Sequence, residues 1–184
     1  MEVAAFSKKN EYVPEIDNLE IAYKEGDTIK YKKNDVPISF HHLLSFTSGH
    51  AYEHHDPIIS ELLSKKEIAP MKIGDDSFLQ APLVFTPGSR WGYGISYGWL
   101  GKAIEAISGV SLDENLKKYL CQPLGLEKTS FNPSQANRDT LAPLYFRESD
   151  GAYSDISSKI TIGLNRFHYG CLLYTSPSPR DSDT

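Results

Sequence analysis

At 184 residues, the chain has room for one domain or for part of a larger one. Hydrophobic residues make up 40% and charged residues 23%, the balance of a globular protein rather than a disordered one. A net charge of −5 excludes the basic footprint of a nucleic-acid binder, and no apolar run approaches the length that crosses a bilayer. The two cysteines, Cys121 and Cys171, form neither a metal pattern nor a disulfide framework. The opening MEVAAFSKKNEYVPE lacks the apolar run of a signal peptide, so the expected location is the cytoplasm.

Met1 to Val36 is a polar lead-in that reads as loops with one short extended piece. In SFHHLLSFTSG, Ser39 is expected to cap a helix carrying Phe40, Leu43, Leu44 and Phe46, with Gly49 as its left-handed stop. Asp56-Pro57 is a second start, with a side-chain acceptor at the cap and proline at the first helical position. Ile58, Ile59, Leu62 and Leu63 then share a face. Ser77 to Val84 reads as a further short helix. Trp99, Leu100, Ala103, Ile104 and Ile107 form the stripe of the strongest helix in the chain, and Gly109 stops it. Ser111 and Glu114 make a capping box for the next helix, which carries Leu112, Leu116, Tyr119 and Leu120 and ends at Pro123-Leu124-Gly125. Asp150-Gly151 marks a hairpin. The whole reads as α+β, a helical layer followed by a few strands.

Three short patterns suggest chemistry. Gly94-Ile95-Ser96-Tyr97-Gly98 matches G-x-S-x-G, but a nucleophile elbow needs a buried strand before it. Pro87, Gly88, Ser89 and Arg90 break any such strand, so Ser96 reads as a helix cap or turn serine. His50-Ala51-Tyr52-Glu53-His54 matches H-x-x-E-H, yet it lies between one helix stop and the next helix start. It reads as a solvated loop, and no metal site is expected. His168-Tyr169-Gly170 could present donors from a strand, but its place beside the tail favours an ordinary surface histidine.

Two longer stretches carry a family resemblance. ISFHHLLSFTSGHAY, Ile38 to Tyr52, resembles the I-T-I-R-H-L-L-T-H-T-S-G segment of the serine β-lactamase-related family. Pro82 to Phe131 resembles its next block: a Phe-x-Pro-Gly turn, a tyrosine loop, a helix, a Gly-x-Ser-Leu turn, a second helix and Pro-Leu-Gly-Leu-x-x-Thr-x-Phe. With EYVPEI as lead-in, the likeness runs from about Glu11 to Gly163. The Trp91-Gly92-Tyr93-Gly94 flavour is most like the fungal esterase and transesterase branch. The resemblance implies a partial β-lactamase/transpeptidase-like fold over residues 37–170, with both sheet-forming ends missing. It implies acyl transfer through a serine ester, without a cofactor, on a small ester or acyl substrate. Tyr93 takes the place of the family's proton-shuttling tyrosine, and Trp91 and Ser96 become candidate substrate contacts. Relatives often carry a polar residue two places after the tyrosine; here it is Ile95, a departure that favours esters over penicillin-type amides.

No serine in the chain has lysine three places on, so the family's Ser-x-x-Lys nucleophile motif is absent. The resemblance places that motif before YVPEI, and the chain is therefore expected to be inactive by itself. A non-catalytic binding or scaffold module of the same fold is the alternative. CLLYTSPSPRDSDT, residues 171–184, resembles a translated sequencing adapter and is expected to be a non-native tail.

Overall fold

The computed structural model describes residues 12–70, 76–127, 129–131, 143 and 145–157. The chain divides into two units, residues 1–109 and 110–184. Among the described residues, no helix is long and apolar enough to cross a membrane.

The first unit opens with a 3-10 turn, Pro14–Asn18, started by a proline whose fixed φ suits a first helical position. Strands β1 (Ile21–Glu25) and β2 (Thr28–Lys32) follow as an antiparallel hairpin, with Ile21 opposite Lys32 and Glu25 opposite Thr28. Gly26, at φ 60°, opens the two-residue turn between them. Sequence reading of this segment found no hairpin because its burial does not alternate: Ile21 and Ala22 are both buried, and β2 is almost wholly exposed. The cause is tertiary. Leu83 lies along β1 in a parallel bridge, where it accepts from the Ala22 N–H at 2.7 Å and donates to the Glu20 carbonyl at 2.9 Å. The segment read as a polar lead-in thus delivers Val13, Ile16, Leu19 and Ile21 to the core of this unit.

Helix α1 (Phe40–Leu44) starts at the expected cap. The Ser39 hydroxyl accepts from the His42 N–H at 3.2 Å, and His42 Nδ1 accepts from the Ser39 N–H at 3.3 Å. The helix ends well before Gly49, and the left-handed residue after it is Phe46, at φ 55°. Gly49, at φ 100°, serves another purpose: a Cβ there would meet the Phe85 carbonyl oxygen at 2.5 Å. Helix α2 (Pro57–Ser64) has Asp56 as its cap, accepting from the Ile58 N–H at 2.9 Å, and buries Ile59 and Leu62. The helix expected over 77–84 is a single 3-10 turn, Ser77–Gln80, that buries Leu79 before the chain extends to Leu83. Helix α3 (Ser96–Ser108) ends at Gly109, φ 73°. Its Trp99 and Ala103 are fully buried, while Ile104 and Ile107 are 40% and 50% exposed. Trp99 packs within a core of Val13, Ile16, Leu43, Leu79, Leu83 and Ile95, among others.

The second unit begins with helix α4 (Leu112–Leu116), held by the expected capping box: Ser111 Oγ accepts from the Glu114 N–H, and the Glu114 carboxylate accepts from the Ser111 N–H. The chain then widens into a π-type turn, Lys117–Cys121, before the short helix α5 (Gln122–Leu124). Pro123 lacks the N–H that would close a regular rung there, which accounts for the widening. Gly125, at φ 65°, ends the run. Cys121 is buried, and its thiol donates to the Thr129 carbonyl at 3.7 Å. Tyr119 and Leu120, which the sequence places on this helix, are 67% and 41% exposed. Strands β3 (Tyr145–Arg147) and β4 (Tyr153–Asp155) form the hairpin signalled by Asp150-Gly151, with Gly151 at φ 87°.

Candidate active site

The stretch from Arg90 to Ile95 carries no regular structure and lies against the connector between α1 and α2. Three backbone relations fix it. The Gly92 N–H donates to the Phe46 carbonyl at 2.8 Å, and the Tyr52 N–H donates to the Tyr93 carbonyl at 3.2 Å. Gly94 sits directly on the backbone of His50 and Ala51, where a Cβ would come within 2.6 Å. Glycine is required at such an approach because no side chain can share the space.

This seam presents Tyr93 at the surface. The residue is 43% exposed, and its ring is held by aromatic neighbours on several sides. Phe46 lies 5.2 Å away and tilted, Tyr52 lies 5.2 Å away edge-on, and His55 lies 5.5 Å away edge-on. Phe46 also stacks on Tyr97 at 4.7 Å and meets Trp91 at 6.4 Å. Trp91 is 63% exposed. Beside it, the Arg90 guanidinium lies 4.0 Å over the Phe85 ring and 3.8 Å from the Asp56 carboxylate.

Ser96 stands apart from this surface. It is the first residue of α3 rather than its cap, it is fully buried, and its hydroxyl meets Ser48 Oγ at 2.7 Å. Ile95, two places after the tyrosine, is buried in the core. An elbow serine would need an exposed hydroxyl after a strand, and Ser96 has neither.

His50 differs from its sequence reading. It does lie in the connecting loop, but it is sealed rather than solvated, at 1% exposure. Its Nδ1 meets Ser48 Oγ at 2.9 Å, and its ring lies 6.4 Å from Trp99. Burial pushes its pKa down to about 3, so the imidazole is neutral at physiological pH. The other histidine of that pattern, His54, is 84% exposed at its side chain, so the pair does not converge. Among the described residues no cluster could hold a metal ion. His168 and the adapter-like tail lie outside the described residues. The buried Ser48–His50 pair escaped sequence reading because a histidine after Ser-Gly in a loop carries no periodic signal of burial.

The arrangement is a seam of backbone contacts with a phenol and an indole beside a helix start. A family model for Beta-lactamase matches residues 10–159, and the chain belongs to that family. It is 32% identical over 130 residues to the ML-236A carboxylate methylbutanoyltransferase mlcH of Penicillium citrinum, covering 68% of this chain and 31% of that protein. It is 32% identical over 100 residues to the lovastatin esterase of Penicillium rubens, covering 53% of this chain and 25% of that protein. Among solved structures, it is similar to the unliganded simvastatin synthase (LovD) of Aspergillus terreus, with a TM-score of 0.77 at 24% identity. That likeness covers 91% of this chain and 43% of the synthase, and it concerns the fold. The chain therefore spans under a third of the length of these two sequence relatives.

Proposed function

We propose that this chain carries the tyrosine-bearing part of a serine acyltransferase or esterase that works through an acyl-serine intermediate. The observation that supports this reading is the half-exposed Tyr93 on the loop entering α3, at the place that the sequence resemblance assigns to the family's proton carrier. A phenol there passes the nucleophile's proton toward the leaving group, general acid–base work that contributes about 10²–10⁴ in rate. Trp91 forms an open wall for a small ester or acyl group. Ser96, being buried, serves the site through its contact with Ser48 rather than by touching substrate. Ile95 supports esters over β-lactam amides, because the place that relatives use for a polar contact is apolar and turned into the core.

The chain lacks a Ser-x-x-Lys, so the 184 residues alone are proposed to be inactive. Loss of a serine nucleophile lowers kcat by about 10⁶. The test uses the 184-residue chain and the full protein encoded by its gene, each with a short-chain p-nitrophenyl ester and a chromogenic cephalosporin. The reading expects no acyl-serine on the 184-residue chain by mass spectrometry. For the full protein it expects ester turnover well above cephalosporin turnover, and a loss of at least about a hundredfold in kcat for Tyr93→Phe. Full turnover in Tyr93→Phe would refute the reading. A gene without Ser-x-x-Lys upstream of YVPEI would instead favour a binding or scaffold module of the same fold.

A further inference from the structure

We propose that Ser48 is a positioning residue for Tyr93, acting through a buried hydrogen-bonded chain, His50–Ser48–Ser96, that locks the tyrosine loop to the α1–α2 connector. The proposal rests on the reading of Tyr93 as proton carrier.

All three side chains are essentially sealed: Ser48 and Ser96 are 0% exposed and His50 is 1% exposed. Ser48 Oγ lies 2.9 Å from His50 Nδ1 and 2.7 Å from Ser96 Oγ, so one hydroxyl bridges two segments 48 residues apart in sequence. His50 Nε2 has no hydrogen-bond partner among the described residues. This selects a direction for the chain. If Nδ1 accepted, the N–H would sit on Nε2, buried without an acceptor. If Nδ1 donates, Nε2 keeps only an unused lone pair, the lesser loss. His50 Nδ1–H therefore donates to Ser48, and the Ser48 and Ser96 hydroxyls share the second bond of the chain. The sealed imidazole stays neutral across the working pH range, so the chain carries no buried charge, and a fully buried hydrogen-bonded chain holds its members at fixed separation.

The chain ends where it matters for the loop. Ser96 begins α3, three residues after Tyr93, while Ser48 and His50 come just before Ala51 and Tyr52, whose backbone meets the loop. Between these ends lie the Tyr52 N–H to Tyr93 carbonyl bond and the close approach of Gly94 to Ala51. The two ends fix the register in which the seam closes. A slip would turn the Tyr93 ring out of its place between Phe46, Tyr52 and His55.

Hydrogen exchange on the 184-residue chain tests the locking. In Ser48→Ala, the amide of Tyr52 is expected to exchange about tenfold faster, the loss of one buried hydrogen bond, while amides in the middle of α3 change less than twofold. Ser96→Ala should give the same local effect, and the double variant no more than either alone, because both cut one chain. If Ser48→Ala fails to fold, Ser96→Ala carries the test, since it spares the Ser48–His50 bond. In the full protein, Ser48→Ala should lower kcat for the ester about tenfold at unchanged KM, and Ser48→Thr, which keeps the hydroxyl, should restore most of it. Uniform acceleration at all amides, or none at Tyr52, overturns the positioning role even where Tyr93→Phe abolishes turnover. A silent Tyr93→Phe overturns the reading beneath it instead.

Discussion

Gly94 and Ala51 touch backbone to backbone: a Cβ on residue 94 would lie 2.6 Å from both the amide nitrogen and the Cα of Ala51. Neither partner can rotate away, because the contact involves main chain and not the end of a side chain. Gly94→Ala must therefore open the seam, at a cost of about 1–3 kcal/mol for such overpacking. Gly92 offers the comparison. A Cβ there would meet the Phe85 ring at 2.6 Å, and a ring can shift where a backbone cannot. Gly94→Ala is expected to lower the urea midpoint more than Gly92→Ala does, and to weaken the near-ultraviolet signal of the tyrosines. Equal midpoints would mean that the 93–95 loop does not close on Ala51 as described.

Phe46 holds a left-handed backbone, φ 55°, while its ring contacts Trp91, Tyr93 and Tyr97. Residues with a Cβ lose about 1–2 kcal/mol in that conformation, whereas glycine does not. Each aromatic pair returns about 0.5–1.5 kcal/mol, so three pairs offset the strain. Phe46→Ala loses the ring and keeps the strain; Phe46→Gly loses the ring and relieves it. The glycine variant is therefore expected to be the more stable of the two, by about 1 kcal/mol in denaturant titration, the reverse of the usual order.

What the sequence revealed was mostly local. The caps at Ser39, Asp56 and Ser111 and the glycine stops at 109 and 125 depend on neighbours within a few residues, so their signals survive in the linear chain. The β1–β2 hairpin did not, because Leu83, about sixty residues away, decides which of its residues are buried. Gly49 was read as a helix stop because its left-handed habit is visible in sequence, whereas its approach to the Phe85 carbonyl is not. Tyr93 becomes a candidate only through the family resemblance, with nothing in its own neighbours to mark it out. The burial of His50 depends on Ser96 and Trp99, on a helix that begins 46 residues later, and no pattern within the loop announces it.

Asp56 does two things at once. Its carboxylate caps α2 through the Ile58 N–H at 2.9 Å and lies 3.8 Å from the Arg90 guanidinium. Magnitude decides between them. A lost cap costs about 1 kcal/mol, and a long ion pair to a half-exposed arginine contributes a few tenths. Asp56→Ala should thus cost about 1 kcal/mol in urea titration, and Asp56→Asn, which keeps the acceptor and drops the charge, should recover most of it. If Asn is as poor as Ala, the arginine contact is the larger part.

The sealed imidazole of His50 makes stability depend on pH in a window of its own. In the unfolded chain it takes up a proton near its ordinary value of 6.5, and in the folded chain only near about 3. Between those values the unfolded state binds more protons, so the stability held above pH 6.5 is lost as pH falls toward 3. At about 1.4 kcal/mol for each pH unit, roughly 2 kcal/mol is gone by pH 5. Glu61, drawn down to about 2 by hydrogen bonds from Lys24 and Lys65, acts below its ordinary 4.5 and leaves the interval from 5 to 6.5 clear. His42, also lowered by burial, adds to the fall in the same direction. His50→Gln removes the sealed titrating group, and the decline in urea midpoint between pH 6.5 and 5 should then flatten to the share left by His42. A wild-type midpoint that does not move across this interval would mean that water reaches the ring and that the His50–Ser48 pair is open.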